Sequence, residues 1–166
     1  NLDNYPYPSR HYLPKSATVR KNMMNVRAKK QYDEMPGTTA IFSRGCPGNC
    51  HFCAIPEMRK YNPRIRTKNP KLIEDEIEYL KKDYGIKVIN ILDEVGIPPG
   101  RRAIPYLEAI GKTNVYWRAQ FRAQGVPLDV IKLAKDSRCI SLGFGIESDS
   151  QDVSNIINKK LDLNKA

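Results

Sequence analysis

At 166 residues, with 28 lysines and arginines against 18 aspartates and glutamates, the chain has a formal charge of +10, and 40% of its residues are hydrophobic. That length suits one domain able to bury a core, no apolar run approaches a membrane span, and no signal peptide is visible. Three of the four cysteines cluster while Cys139 stands alone, a pattern that excludes a secreted disulfide framework and fits a reducing, cytoplasmic setting.

The basic excess is uneven. Residues 1–37 carry seven Lys/Arg against three acids, residues 38–70 six against one, and the remainder is nearly balanced at fifteen against fourteen. Positive charge therefore surrounds the cysteine cluster and its approach, where it can face a polyanion, an anionic cofactor or a small carboxylate ligand.

Residues 1–37 are rich in Pro, Tyr and basic side chains, as in Tyr5-Pro6-Tyr7-Pro8, without a sustained period of two or 3.6. They read as an extended connector that wraps a surface. A short strand over 38–43 runs into Arg44-Gly45-Cys46-Pro47-Gly48-Asn49-Cys50-His51-Phe52-Cys53. Thiolates are the usual protein ligands of iron–sulfur clusters, and a glycine-containing loop lets three of them converge. Three local cysteines for four irons leave one iron open to something that is not protein, as an open position marks a working zinc site. The alternative is a structural zinc site with Cys139 or His51 as fourth ligand.

Beyond the loop, Asn69-Pro70 provides a cap and a first-turn proline, followed by Glu74, Asp75 and Glu76 to complement the helix dipole. Ile73, Ile77, Leu80 and Tyr84 then mark one apolar face, and Gly85 is a stop. The apolar run 86–92 predicts a strand covered on both faces, ended by Asp93-Glu94. After Pro98-Pro99-Gly100 come a helix over 103–110, a strand from Val115, a helix over 127–135, a strand over 140–146 opened by a buried Cys139, and a last amphipathic segment carrying Val153, Ile156, Ile157 and Leu161. Strand and helix in alternation predict an α/β fold with parallel strands. No glycine-rich phosphate loop follows the first strand, so a curved, partial TIM-type barrel of four β/α units is expected.

In such folds, function collects at the carboxyl ends of the strands. The first delivers Cys46, Cys50 and Cys53; the second Asp93 and Glu94; the third Arg118 and Arg122; the fourth Glu147 and Ser148. A rim of thiols, carboxylates and guanidinium groups fits a zwitterionic, hydroxyl-bearing ligand beside a metal cluster.

With Phe52 in the aromatic position, the C-x-x-x-C-x-aromatic-C spacing resembles the signature of radical S-adenosylmethionine enzymes. The chain is most similar to the large subgroup that carries a cobalamin-binding domain ahead of the radical domain. The resemblance extends over Tyr5-Pro6-Tyr7-Pro8, Arg44-Gly45-Cys46-Pro47, Arg64-Ile65-Arg66-Thr67, Asp93-Glu94, Trp117 through Arg122, and Gly145-Ile146-Glu147-Ser148. It implies that Cys46, Cys50 and Cys53 ligate a 4Fe-4S cluster whose fourth iron takes the amino and carboxylate groups of S-adenosylmethionine. One electron would then release a 5'-deoxyadenosyl radical that abstracts hydrogen from a substrate. In the same way it implies that Asp93 and Glu94 lie near the methionine amino group, Glu147 with Ser148 near the ribose, and Arg122 near the carboxylate or ribose.

By the same resemblance, a cobalamin held by a preceding domain implies methyl transfer to an unactivated carbon. A small-molecule or lipid-precursor substrate and a flavodoxin or ferredoxin reductant are implied as partners. Such radical domains commonly have six β/α units. A chain that starts at Asn1 and stops after the fourth strand is therefore expected to comprise a connector, 1–37, and the first part of a radical core, 38–166. Asp149, Val95-Gly96-Ile97 and Arg138 depart from the subgroup's usual residues. The alternatives are a tRNA methylthiotransferase-like enzyme, a basic RNA-binding module with a structural zinc, and an inactive fragment.

Overall fold

The structure, a computed structural model, describes residues 1–23, 30–61, 65–96, 98–123 and 125–165; Arg64 and Ile97 of the motifs above lie outside them. Among the described residues, six strands and seven α-helices follow in chain order. The strands are β1 (Gly37–Ala40), β2 (Ser43–Arg44), β3 (Arg66–Thr67), β4 (Val88–Ile91), β5 (Tyr116–Phe121) and β6 (Cys139–Phe144). The longer helices are α4 (Pro70–Tyr84), α5 (Ile104–Lys112), α6 (Leu128–Asp136) and α7 (Gln151–Ile156). Single turns form α1 (Lys15–Thr18), α2 (Lys30–Asp33) and α3 (Ile55–Met58).

Four strands form one parallel sheet in the order β1-β4-β5-β6, so each new strand is laid beside the last without reversal. An open doubly wound sheet would need a switch point; steady progression is the winding of a barrel. One apolar cluster joins Ile73, Ile77 and Leu80 of α4, Leu107 and Ile110 of α5, and Val130 and Ala134 of α6 to Ile89, Ile91, Trp117 and Phe121 of the sheet. The fold is mixed α/β, with a four-stranded parallel sheet consistent with part of a TIM-type barrel.

Local chemistry explains the longest helix. The Asn69 side chain accepts the Lys71 N–H at 2.9 Å, Pro70 fills the first helical position, and Gly85 ends the helix at φ 67°. One residue on the buried side is charged: Glu76, which meets Lys68 at 2.5 Å with both side chains buried.

The N-terminal segment is held to the sheet edge and to α4. Arg10 donates to the Thr39 carbonyl at 2.7 Å and the Thr38 hydroxyl at 2.9 Å, and Arg20 and Gly37 exchange backbone hydrogen bonds at 2.9 Å. The backbone edge of β1 is thereby covered rather than left open to another chain. Asp3 accepts the Asn69 N–H at 2.7 Å, and Tyr7 stacks on Tyr79 with centroids 5.8 Å apart.

Three expectations are corrected. β6 is only partly buried, and exposed at Phe144, rather than covered on both faces, because it is the outer strand of the sheet. In α7 the predicted apolar side is turned outwards, with Val153 41% and Ile156 72% exposed, while Ser154 is buried and its hydroxyl donates to the Leu161 carbonyl. Arg118 is not at a strand end: β5 continues to Phe121, and Arg118 is paired mid-strand with Asn90 and Ser141.

Candidate functional site

The cysteine loop leaves β2 at the carboxyl end of the sheet. Its backbone turns at Gly45, φ 98°, a conformation that glycine adopts without steric cost. Cys46, Cys50 and Cys53 are free thiols, each half-buried. Gly48 fits between them and Arg122: a Cβ there would stand 3.4 Å from the Cys46 sulfur, 3.7 Å from that of Cys50 and 2.7 Å from Arg122 Nη1. The Gly48 N–H donates to the Cys46 sulfur at 3.3 Å.

Each remaining candidate has a definite place. Asp93 and Glu94, though adjacent, point apart. Asp93 is 4% exposed and accepts the Phe42 N–H at 2.7 Å, and burial pushes its carboxyl up to about 6 against the lowering effect of hydrogen bonds from Ser43 and Phe42. Glu94 faces the loop itself, accepting the Gly45 N–H at 3.2 Å and pairing with Arg44 at 3.4 Å. Arg122, one residue past β5, lies against Gly48 and donates to the Lys159 carbonyl at 3.2 Å. Glu147, three residues past β6, has φ 72° and receives Lys159 Nζ at 2.9 Å. The Ser148 hydroxyl accepts the Ser150 N–H at 3.1 Å and so shapes the turn into α7.

The structure therefore gathers Cys46, Cys50, Cys53, Glu94, Arg122 and Glu147 about one loop, with Asp93 fixing the strand that enters it. Sequence reasoning missed two braces. Arg59 donates to the Pro47 carbonyl and to Asn49 Oδ1, both at 3.1 Å. The stretch after α7 supplies the Ile157 carbonyl to the His51 N–H at 2.9 Å and Asn158 Nδ2 to the Asn49 carbonyl at 2.8 Å. The available signal was an arginine six residues past the last cysteine and an Asn-Lys-Lys run behind a short helix, both nondescript in isolation.

Beside the loop lies a cavity of about 440 Å³ lined by Arg44, Gly45, Met58, Arg59, Arg66 and Glu94. It joins guanidinium groups and one carboxylate to an apolar wall, a donor set suited to a zwitterion with an apolar body.

Three thiols on one loop are a donor set that suits an iron–sulfur cluster. Among the described residues no three His, Cys, Asp or Glu side chains converge closely enough to hold one metal ion. A structural zinc needs its ligands within about 2.0–2.3 Å of one point, whereas a cluster presents a separate iron to each thiolate. Cys139 is removed as a fourth ligand by topology: it opens β6, opposite Trp117 near the start of β5, at the other end of the sheet from the loop.

The family model for the radical SAM superfamily matches residues 40–166. An uncharacterized methyltransferase of Pyrococcus horikoshii is 30% identical over 161 residues, which is 96% of this chain and 32% of that protein. The anaerobic magnesium-protoporphyrin IX monomethyl ester cyclase of Rubrivivax gelatinosus is 28% identical over 123 residues, 72% of this chain and 22% of the relative. Among solved structures, the cobalamin-dependent S-adenosylmethionine radical enzyme OxsB with aqua-cobalamin and S-adenosylmethionine bound matches with a TM-score of 0.64 at 18% identity. That match covers 76% of this chain and 20% of the other, and it is a likeness of fold. The chain spans about a third or less of the length of these relatives.

Proposed function

Because the chain belongs to the radical S-adenosylmethionine superfamily, we propose that it is the part of such an enzyme that holds a 4Fe-4S cluster on Cys46, Cys50 and Cys53 and binds S-adenosylmethionine beside it. The observation that carries this reading is the braced cysteine loop, with Gly48 packed between two of the thiols and Arg122.

When bound and reduced, the cluster supplies the electron that cleaves the sulfonium. The chain's own residues bind and orient. Glu94, next to the Gly45 N–H, offers a carboxylate to the methionine ammonium; Arg122 offers a guanidinium to the carboxylate or ribose; Glu147 accepts from ribose hydroxyls. Asp93 keeps β1 and the loop entry in place through Phe42. Met58 and Ile55 give the cavity an apolar wall against which the apolar part of the ligand can lie.

The overall outcome belongs to the longer protein. The methyltransferase relative and the cobalamin-bound structural neighbour support cobalamin-dependent methyl transfer or related C–H functionalisation, with cobalamin held by another domain. The relative named as a cyclase is the reason that outcomes other than methyl transfer stand beside it in the proposal. A small-molecule or lipid-precursor substrate and a flavodoxin- or ferredoxin-type reductant complete the proposal.

Anaerobic reconstitution with iron and sulfide tests it. The expected product is a brown protein with about four irons and four sulfides per chain, lost in Cys50→Ala, that releases 5'-deoxyadenosine from S-adenosylmethionine under reduction. A colourless protein holding one zinc overturns the reading.

A further inference from the structure

The residues that bridge the two ends of the site are ones the functional reading does not use. Lys159 Nζ donates to Glu147 Oε1 at 2.9 Å and lies 5.7 Å from the centre of the Phe52 ring, between Cys50 and Cys53 in the loop. Its side chain is 16% exposed, low for a lysine, and its carbonyl accepts from Arg122. One residue thus touches the carboxylate after β6, the cysteine loop, and the arginine after β5.

The surroundings keep Lys159 in that position. A Cβ on Gly145 would stand 2.7 Å from Glu147 Oε1 and 3.0 Å from Lys159 Nζ, so the ion pair packs directly against a backbone without a side chain. Glu147, Asn158 and Lys160 have φ of 72°, 54° and 51°, in the left-handed region that non-glycine residues enter only when their surroundings determine it. The hydrogen bonds from His51 to Ile157 and from Asn158 to Asn49 provide that determination. With Oε1 engaged and its side chain still 40% exposed, Glu147 keeps a face open to a ligand.

We propose that Lys159 is a positioning residue that ties Glu147 to the cysteine loop, fixing the ligand-binding carboxylate relative to the thiols and bracing the loop from its far side. The ligand half of this proposal rests on the reading of Glu147 as a ribose-binding group. The bracing half concerns the loop alone.

Two measurements on the full chain separate the halves. In the metal-free reduced protein, iodoacetamide should alkylate Cys50 and Cys53 several-fold faster in Lys159→Ala than in wild type, because a loop without its brace opens more often and exposes its half-buried thiols. Lys159→Arg should stay close to wild type. In the iron- and sulfide-loaded protein, Lys159→Ala should weaken S-adenosylmethionine binding about tenfold at unchanged iron per chain. The double variant Lys159→Ala/Glu147→Gln should bind no more weakly than Glu147→Gln alone, because both remove one linkage.

Equal alkylation rates in wild type and Lys159→Ala overturn the brace. Affinity lost only in proportion to lost iron, or losses that add in the double variant, overturn the positioning of Glu147. A wild-type protein that loads iron and sulfide but binds no S-adenosylmethionine overturns the functional reading instead, and the alkylation comparison still decides the brace.

Discussion

Asp93 Oδ1 accepts the Phe42 N–H at 2.7 Å, so the residue just past β4 holds the backbone that leads from β1 into the cysteine loop. Burial raises this carboxyl from 3.8 to about 6, which means that the fold favours its protonated form. The unfolded chain releases the proton first as pH rises, so the associated stability is fully present below about 3.8 and is lost as pH climbs to about 6. The shift is worth about 2–3 kcal/mol. Asp93→Asn keeps an acceptor for Phe42 and abolishes the titration. Urea midpoints from pH 4 to 7 should show wild type losing about 2–3 kcal/mol relative to the variant; parallel curves would contradict the assignment.

Gly96, two residues beyond Glu94, has φ 69°, and a Cβ there would fall 1.8 Å from the Gln120 carbonyl oxygen of β5. The obstacle is backbone in the central sheet, which cannot swing aside as a side chain can. Gly96→Ala should therefore cost roughly 3 kcal/mol, from steric overlap and a left-handed alanine together. Gly85 provides the control, since its φ is 67° but nothing lies within 4 Å of its added Cβ. Gly85→Ala should cost about 1 kcal/mol. Equal losses in thermal melts would show that the close approach to Gln120 does not matter.

Burial pushes the Cys139 thiol up to about 12, and its sulfur donates to the Ser141 carbonyl at 3.4 Å. The thiolate is the reactive form, so Cys139 should resist alkylation at pH 8 while the loop cysteines react. Mass spectrometry after brief iodoacetamide treatment should find up to three modified cysteines, none of them Cys139. Cys139→Ala should reconstitute with wild-type iron content, which a ligand at that position would forbid.

Features written in local chemistry were legible in the sequence. Asn69-Pro70 and Gly85 bound α4 because caps act within a few residues. The rim was legible through the rule that β/α folds work at strand ends, and it located Glu94, Arg122 and Glu147 beside the cysteines. The opposite orientations of Asp93 and Glu94 depend on how the chain leaves β4, which adjacency in sequence does not encode. Asn158 reaches Asn49 across 109 positions, a pairing set by tertiary packing alone. The exposed side of α7 was misread because helical periodicity identifies an apolar face without saying whether anything covers it.

Lys68 and Glu76 form the buried ion pair of the fold's flank, with side chains 10% and 2% exposed and the Tyr7 ring 5.3 Å from the ammonium. Removing one partner strands the other charge away from water, so Lys68→Ala should cost about 3–5 kcal/mol. Replacing both with apolar side chains of similar volume, Lys68→Met/Glu76→Leu, removes the desolvation cost together with the attraction and should be neutral or stabilising by about 1–4 kcal/mol. The single variant should also loosen the N-terminal segment, because Tyr7 packs on the same ammonium, and trypsin should cut at Lys15 and Arg20 sooner than in wild type. The Lys68 backbone N–H donates to the Phe42 carbonyl at 2.8 Å, a bond that neither side-chain substitution removes, which keeps the loop entry itself out of the comparison. A double variant as unstable as the single one would mean that the pair contributes its own net attraction and that its charge is not merely tolerated.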